Sequence, residues 1–403
     1  MKAVTKSHWT KIMEVNMIDN ISVNSSFDGH QISENVHSTW IKAAQVMRSV
    51  VIPVIAGVGL VGNTLSLMVF LSKRMRKSPC SVFQAALAIV DNTFLFGLLI
   101  TWIDGECHAF LTVDLACQLL IFITYVTSFL SVWFIVGFTC ERFVAIYFPL
   151  KCKYICNSFR QKVIVVVLTL TALIMYEFSF WTTGMEQWNS SMKCNFKTEH
   201  YKLLNIVVWI DTFLTMVIPF ILITVLNALI VRAVFNSPER QESISLRSLS
   251  SNSASMESNE RRIRTRHLEQ RSSQQPYSSA LQRNGFGHFG HRSQIRVTKR
   301  LLLVSSMFLL LNLPSHIMRL HNLIVSATSN TVTITPRFFF LQELTLLWYY
   351  TTFSCNFFLY VLKGYNFKET LFHVLRCRKS KESFRKEMLS KFKSTTGNHE
   401  TFH

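Results

Sequence analysis

A glutamate and an arginine stand side by side near the end of a long apolar run, as Glu141-Arg142-Phe143, with Pro149 shortly after. Ionised groups are costly in hydrocarbon, so such residues are kept for pairing or for a task. Simple snorkelling would also bring a guanidinium to the headgroups, but the adjacent carboxylate favours a charge held in place. Deeper within the apolar runs lie Asn63, Asp91, Ser131, Asn312 and Asn356. One carboxylate among neutral oxygens is a site for a small hard cation. The expectation is an allosteric sodium ion on Asp91 with Ser131, Asn312 and Asn356; the competing role is a hydrogen-bond network that only ties helices together. A third set, Asp211, His316, Arg319, His321, Glu343, Trp348, Tyr349 and Tyr350, falls in the opposite halves of the later runs. Arg319 can bind a carboxylate or carbonyl from outside, or pair internally with Asp211 or Glu343. The aromatic side chains can stack on a bound ring or cation or simply pack. No zinc-type His-x-x-x-His pair lies in an apolar run, and Asp91 has no second carboxylate at its depth, so no enzyme and no cofactor is expected.

The elements that must position these groups are seven apolar stretches: Ser49–Ser72, Ser81–Trp102, Leu115–Tyr147, Val163–Thr183, Leu203–Phe235, Leu301–Val325 and Phe338–Leu362. About 20 apolar residues cross a bilayer as a helix. The chain of 403 residues is 49% hydrophobic and only 16% charged, a polytopic membrane composition. The expected fold is therefore all-α, a seven-helix transmembrane bundle. Its net charge of +19 is unevenly placed. Lys73, Arg74, Arg76 and Lys77 follow the first stretch, Lys151, Lys153, Arg160 and Lys162 the third, and most other cations lie in 236–295 or after Lys363. The alternate loops carry Asp104, Glu106, Asp114, Glu186 and Glu199. Cationic loops stay inside, which puts the N-terminus outside the cell and the C-terminus within, in a plasma-membrane protein. Cations that flank spans in this way bind no nucleic acid. No secretory signal is expected, the first stretch serving for insertion.

Residues 1–45 read as an extracellular glycosylated tail, with sequons at Asn20 and Asn24 and a third at Asn189. Residues 46–377 form the membrane domain, and 378–403 a cytoplasmic tail. Residues 236–294, rich in Ser, Arg, Asn and Gln, cannot bury a core and are expected to be a disordered cytoplasmic loop. Its serines at 243–258 invite kinases. Tyr365–Arg376 has helical apolar spacing at Phe367, Leu371, Phe372 and Leu375 and would lie along the headgroups, with Cys377 a palmitoylation candidate. Of the nine cysteines, Cys107, Cys117 and Cys194 face outward, enough for one bridge and one leftover, with the pairing open.

Taken together, residues 46–377 resemble the rhodopsin-like (class A) G-protein-coupled receptors. The match rests on Gly62-Asn63, on Leu87-Ala88-Ile89-Val90-Asp91, on Glu141-Arg142-Phe143 where that family has Asp/Glu-Arg-Tyr, and on Pro219 in the fifth helix. Phe308 and Pro314 match the sixth, Asn356-Phe357-Phe358-Leu359-Tyr360 stands for Asn-Pro-x-x-Tyr, and Phe367 follows. The resemblance implies a Cys117–Cys194 bridge and an activation set of Glu141, Arg142, Phe143, Pro149, Pro314, Asn356 and Tyr360. In it Arg142 is masked at rest and freed when the sixth helix swings outward about Pro314, and Tyr360 turns inward. Heterotrimeric G proteins, arrestin and receptor kinases are the implied inner partners, within a lipid bilayer. Departures are clear. Leu311-Asn312-Leu313-Pro314 lacks the family's sixth-helix tryptophan, Phe357 replaces the seventh-helix proline, Asn227 stands where tyrosine is common, and the fourth-helix tryptophan is absent.

The resemblance also bears on the ligand. Amine receptors carry an aspartate where this chain has Thr124, which argues against amines, and no lysine lies in Phe338–Leu362 to hold retinal. The expected ligand set is Thr124, Asp211, His316, Arg319, Glu343 and Tyr350. Mixed charge in an outer vestibule suits a short extracellular peptide, and Asn312–His316 resembles invertebrate neuropeptide receptors of the FMRFamide-like or thyrotropin-releasing-hormone-like sort. A chemosensory or lipid receptor is the alternative, which a chargeless pocket would favour. A multi-pass transporter is more remote, because paired repeats are not seen.

Overall fold

The computed structural model describes residues 31–76, 81–107, 113–148, 151–152, 154, 156–188, 191–235, 285–328, 335–363 and 367–376. The long helices are α1 (Gln31–Leu71), α2 (Ser81–Cys107), α3 (Asp114–Tyr147), α4 (Ser158–Met175), α5 (residues 201–235), α6 (Gly285–Thr328) and α7 (Pro336–Lys363), followed by a short α8 (residues 367–376). Six of the first seven are long and apolar enough to cross a membrane. The exception is α7, which at 28 residues has the length but carries Gln342, Glu343, Thr345, Thr351, Thr352, Ser354 and Asn356. Gln342, Glu343, Thr352 and Asn356 turn toward other helices, while Thr345, Thr351 and Ser354 bond back to carbonyls of α7 itself, as a lipid-bathed helix requires.

The helices form a closed bundle around α3. Helix α1 packs on α2 and α7, α6 lies between α5 and α7, and α3 touches α2, α4, α5 and α6. The core is built on α3 side chains, with Phe129, Phe134 and Phe138 buried among Phe83, Ile223, Phe308 and Tyr360. Large apolar residues such as Val50, Val61, Val167, Ile174 and Leu310 point outward, as expected where lipid is the solvent. Helix α4 is the most peripheral: Gln161 and Ala172 alone are buried along Ser158–Met175. Helix α1 approaches closely because Gly62 has no side chain. A Cβ there would stand 2.9 Å from Phe357 Cβ on α7.

Below, "inner" means the Arg142 end of α3 and "outer" the opposite end. The outer end is covered by a hairpin, β1 (Thr183–Trp188) antiparallel to β2 (Ser191–Phe196), with Met185 opposite Cys194. Three ties fix it to α3: the Cys117–Cys194 disulfide, the Met185 N–H donating to Asp114 Oδ1 at 2.7 Å, and Gln118 Nε2 donating to the Thr183 carbonyl at 3.3 Å. The bridge implied by the resemblance is thus the one that forms.

Helix α5 is interrupted by a π-helical turn, Phe213–Val217, where the Ile218 N–H donates five residues back to the Phe213 carbonyl. Pro219, next along, has no N–H to continue an α-helical ladder. The Leu214 carbonyl left beside the turn accepts from Trp133 Nε1 on α3 at 3.1 Å. One extra residue per turn rotates the outer part of α5 by about 100° against its inner part.

Two boundaries differ from expectation. Helix α1 starts at Gln31, inside the segment 1–45 read as a tail; Trp40 meets the Phe340 ring on α7 edge-on at 5.3 Å, which gives the extra turns something to pack on. Helix α6 starts at Gly285, so ten residues of the loop expected to be disordered over 236–294 are helical. Once a spanning helix exists, each added residue costs no new nucleation. Pro149, the sequons Asn20, Asn24 and Asn189, the serines 243–258 and Cys377 lie outside the described residues.

Candidate functional site

The ionisable groups gather in three layers along the bundle axis. At the outer layer, Arg319 of α6 pairs with Asp211 of α5 through a close Nη2–Oδ2 contact. The other carboxylate oxygen accepts from the Tyr176 hydroxyl at 2.6 Å, and Tyr176 stacks on Tyr125 of α3, ring centroids 5.3 Å apart. Asp211 is buried, whereas the Arg319 side chain is 33% exposed, so the arginine is the more accessible member of the pair. Of the two internal partners open to Arg319, the fold selects Asp211. Glu343 instead faces Arg48 of α1 at 3.9 Å. Tyr350 sits below, buried against Phe94 at 6.0 Å. His316 meets the Phe220 ring edge-on at 6.2 Å. Thr124 is half-buried, and its hydroxyl donates to the Leu120 carbonyl of its own helix at 2.8 Å.

In the middle layer Asp91 is fully buried. Its oxygens accept from Ser131 Oγ and Asn356 Nδ2, each at 2.8 Å. Asn312 does not join them. Its Nδ2 donates to the Phe308 carbonyl at 2.7 Å and to Thr352 Oγ1 at 3.3 Å. That back-bond occupies the turn just before Pro314, where the missing proline N–H already weakens the ladder; Ser315 Oγ adds a bond to the Asn312 carbonyl at 2.9 Å. On α1, Asn63 Nδ2 donates to the Phe353 carbonyl of α7 at 2.8 Å. Three buried oxygens around this layer, Asn63 Oδ1, Ser66 Oγ and Asn312 Oδ1, have no hydrogen-bond partner. A carboxylate with a hydroxyl and spare amide oxygens nearby fits water or a small hard cation. Among the described residues no cluster of three or more His, Cys, Asp or Glu side chains exists to bind a transition metal.

At the inner layer Arg142 and Glu141 are both buried, with Arg142 Nη2 4.0 Å from Glu141 Oε1. Glu141 Oε1 also accepts from Gln161 Nε2 through a close contact. Gln161 is placed there by the start of α4. Asn157 caps that helix, accepting from the Phe159 N–H at 3.3 Å, and Gln161 follows one turn later. Phe143 points aside, its ring 4.7 Å from that of Tyr147, whose hydroxyl donates to the Leu229 carbonyl of α5 at 3.0 Å. Tyr360 packs edge-on against Phe70 at 5.1 Å and lies 5.6 Å from Phe367 of α8. Asn227 accepts from Ser305 Oγ at 2.9 Å, a direct α5–α6 bond at the position where a tyrosine is common in the resembling family.

The sequence missed Tyr125, Tyr176, Arg48, Gln161 and Thr352. The two tyrosines look like ordinary aromatic packing residues, and Gln161 lies in a basic stretch with no spacing to mark it. Arg48 stands at the very start of an apolar run, the one feature that could have drawn attention to it.

Residues 62–362 match the family described as 7 transmembrane receptor (rhodopsin family), and the chain belongs to it. It is 24% identical over 207 residues to the thyrotropin-releasing hormone receptor of Gallus gallus, covering 48% of this chain and 50% of that one. Against the thyrotropin-releasing hormone receptor of Bos taurus it is 24% identical over 275 residues, 67% of this chain and 65% of the relative. Against the cysteinyl leukotriene receptor 2 of Homo sapiens it is 26% identical over 185 residues, 43% and 51% of the two chains. The chain thus spans from 50% to 65% of the length of these curated relatives. The family is one of multi-pass membrane receptors, not enzymes.

Proposed function

We propose that this chain is a cell-surface receptor, N-terminus outside, that binds a short extracellular peptide between α3, α5, α6 and α7 and activates heterotrimeric G proteins by outward movement of α6. The observation that carries the reading is the outer Asp211–Arg319 pair, buried on its acidic side and open on its basic side. A peptide offers carbonyls and a carboxylate to such a guanidinium, and its own donors to Glu343, Thr124 and His316. Tyr350 and Tyr349 lie beneath as a floor. The resemblance to thyrotropin-releasing hormone receptors agrees with this.

An agonist acts by binding one arrangement of the helices more tightly than another. Arg319 lies on α6 and Asp211 on α5, on the same two helices that Ser305 and Asn227 tie together further in. A ligand that draws Arg319 from Asp211 removes one of these two ties and favours motion about Pro314. The inner movement would release Arg142 from Glu141 and open a cleft for the G protein beside Phe143, and Asn356 and Tyr360 would rearrange as α7 follows. Receptor kinases and arrestin are the proposed later partners, acting through the serines 243–258 and the tail. Sodium is proposed as an allosteric ion on Asp91 and Ser131, with Asn356 turning its oxygen inward; Asn312, engaged with Thr352, would be an outer neighbour rather than a ligand.

A lipid-ligand receptor is the second reading, favoured by the likeness to cysteinyl leukotriene receptor 2. Both readings use Arg319, so the test must separate them. Cells expressing the full chain with a promiscuous G protein are screened, reading calcium, against an amidated and free-acid neuropeptide library and a panel of acidic lipids. The proposal expects responses in the peptide arm that Arg319→Ala lowers at equal surface expression. Responses confined to the lipid arm would replace it.

A further inference from the structure

Just beyond the inner end of α3, a short turn brings two thiols together. The Cys152 N–H donates to the Phe148 carbonyl at 2.9 Å, and the Cys156 N–H to the Cys152 carbonyl at 2.8 Å. Residues four apart on a helical turn share a face, and here the Sγ atoms lie 2.8 Å apart. Both side chains are half-buried and neither is in a disulfide. Forming one would bring the sulfurs about 0.8 Å closer and draw the two Cβ atoms to about 3.5–4.5 Å, nearer than the roughly 5–6 Å usual four residues apart on a helix, so the turn must tighten. The other free thiols among the described residues, Cys140 and Cys355, lie on α3 and α7, within the spanning segments.

The turn also touches the activation layer. Cys156 Sγ lies 4.0 Å from the Glu141 carbonyl oxygen, and the next residue, Asn157, caps the helix that carries Gln161 to Glu141. A clamp between Cys152 and Cys156 would therefore stiffen the junction of α3 with α4 where Glu141 and Arg142 are held.

We propose that Cys152 and Cys156 form a reversible dithiol–disulfide site, oxidised by a peroxide and locking the α3–α4 turn. Cys152, as thiolate, attacks one peroxide oxygen; the O–O bond breaks, the departing hydroxide (or alkoxide) takes up the proton that the thiol gave up and leaves as water (or alcohol), and Cys152 becomes a sulfenic acid. Cys156 then attacks that sulfur, its proton leaving with the hydroxyl as water. Two thiols are oxidised and the peroxide is reduced, and a small dithiol reverses the step. Burial, followed by its neighbour Cys152, pushes the Cys156 thiol up to about 12, which keeps it protonated and argues against its taking the first step. On the inner side of the membrane a reducing medium keeps the pair as thiols until an oxidant arrives.

The test uses the full-length chain in lipid nanodiscs and needs no receptor ligand. Graded hydrogen peroxide is followed by alkylation with N-ethylmaleimide and peptide mass measurement. The expected result is joint loss of both alkylation sites on the peptide bearing Cys152 and Cys156, a mass lower by two hydrogens, and recovery with dithiothreitol. Cys140→Ser should change none of this, and Cys152→Ser or Cys156→Ser should abolish the paired loss. Amide exchange across 152–161 should slow on oxidation. Persistence of both alkylation sites overturns the proposal, as does irreversible oxidation of one sulfur alone. Unchanged amide exchange would overturn the locking role. The thiol readout on the unmodified chain stands even if the serine variants fail to fold, and none of these results depends on which ligand the receptor binds.

Discussion

Asp211 and Arg319 were each visible as charges out of place in apolar runs, and Asp211 stood beside Glu343 as an internal partner for Arg319, but the choice between the two was not legible. Sequence spacing fixes which face of its own helix a residue takes, and the π-helical turn at Phe213–Val217 shifts that face on α5. The pairing therefore depends on an irregularity that only Pro219 hinted at. If the two charges support one another, their removal is not additive. Asp211→Ala leaves a guanidinium facing Tyr176 and Tyr125, and Arg319→Ala leaves a buried carboxylate held by Tyr176 alone. In purified receptor each single variant should lower the melting temperature by several degrees, and the double variant should lose less than the sum, with a coupling of about 0.5–3 kcal/mol. Additive losses would show that the contact contributes nothing. Asp91 offers a second residue-scale test. Its two hydrogen bonds, from Ser131 and Asn356, survive in Asp91→Asn only in part, since the amide presents one acceptor oxygen instead of two. The proposed ion also loses its charge partner. Thermal stability measured in sodium against N-methylglucamine should differ for the native chain and not for the variant; equal sodium dependence in both would reject the ion.

At the scale of elements, the apolar runs announced nearly every helix because hydrocarbon forces the backbone to satisfy itself within each run. The ends were less legible. Helix α1 continues outward to meet Phe340 through Trp40 and Glu343 through Arg48, contacts across a long stretch of sequence that no local pattern reveals. The replacement of a proline by Phe357 likewise reads as a mere departure until Gly62 is seen opposite it. The ring needs the space that a glycine leaves, and a Cβ at 2.9 Å would push α1 from α7. Gly62→Val is expected to cost about 1–3 kcal/mol by overpacking and to lower surface expression, while Gly62→Val with Phe357→Ala should recover part of the loss. No recovery in melting temperature would mean that α1 is set by other contacts. The π turn on α5 gives a parallel case. Trp133 donates to the Leu214 carbonyl, so Trp133→Phe keeps an aromatic ring but removes the donor together with half of the indole. A net loss of about 1 kcal/mol in stability is expected, with no effect if the carbonyl finds water.

For the whole molecule the question is how an event at Arg319 reaches Arg142. The two lie at opposite ends of the bundle, and α3 touches α2, α4, α5 and α6, so it is the common neighbour through which the layers meet. The proposed movement of α6 would be opposed at the outer end by Asp211–Arg319 and further in by Asn227–Ser305. At the inner end Glu141, steadied by Gln161, is one partner of Arg142. A two-state bundle of this kind should respond to loosening at either level. Glu141→Gln keeps the shape and the bond to Gln161 but removes the charge that holds Arg142, so the resting arrangement loses stability relative to the open one. Ligand-free G-protein signalling, normalised to surface receptor, should rise several-fold. Ser305→Ala, which removes the α5–α6 bond without touching the arginine, should raise it in the same direction by a smaller factor, because a neutral bond is weaker than a charge-assisted one. Arg142→Ala should abolish signalling in both backgrounds, since it removes the group that the proposed open cleft would present. Should Glu141→Gln and Ser305→Ala leave basal signalling flat while Arg142→Ala still silences the receptor, the inner arginine would be a docking group only, and the resting state would be held elsewhere in the bundle.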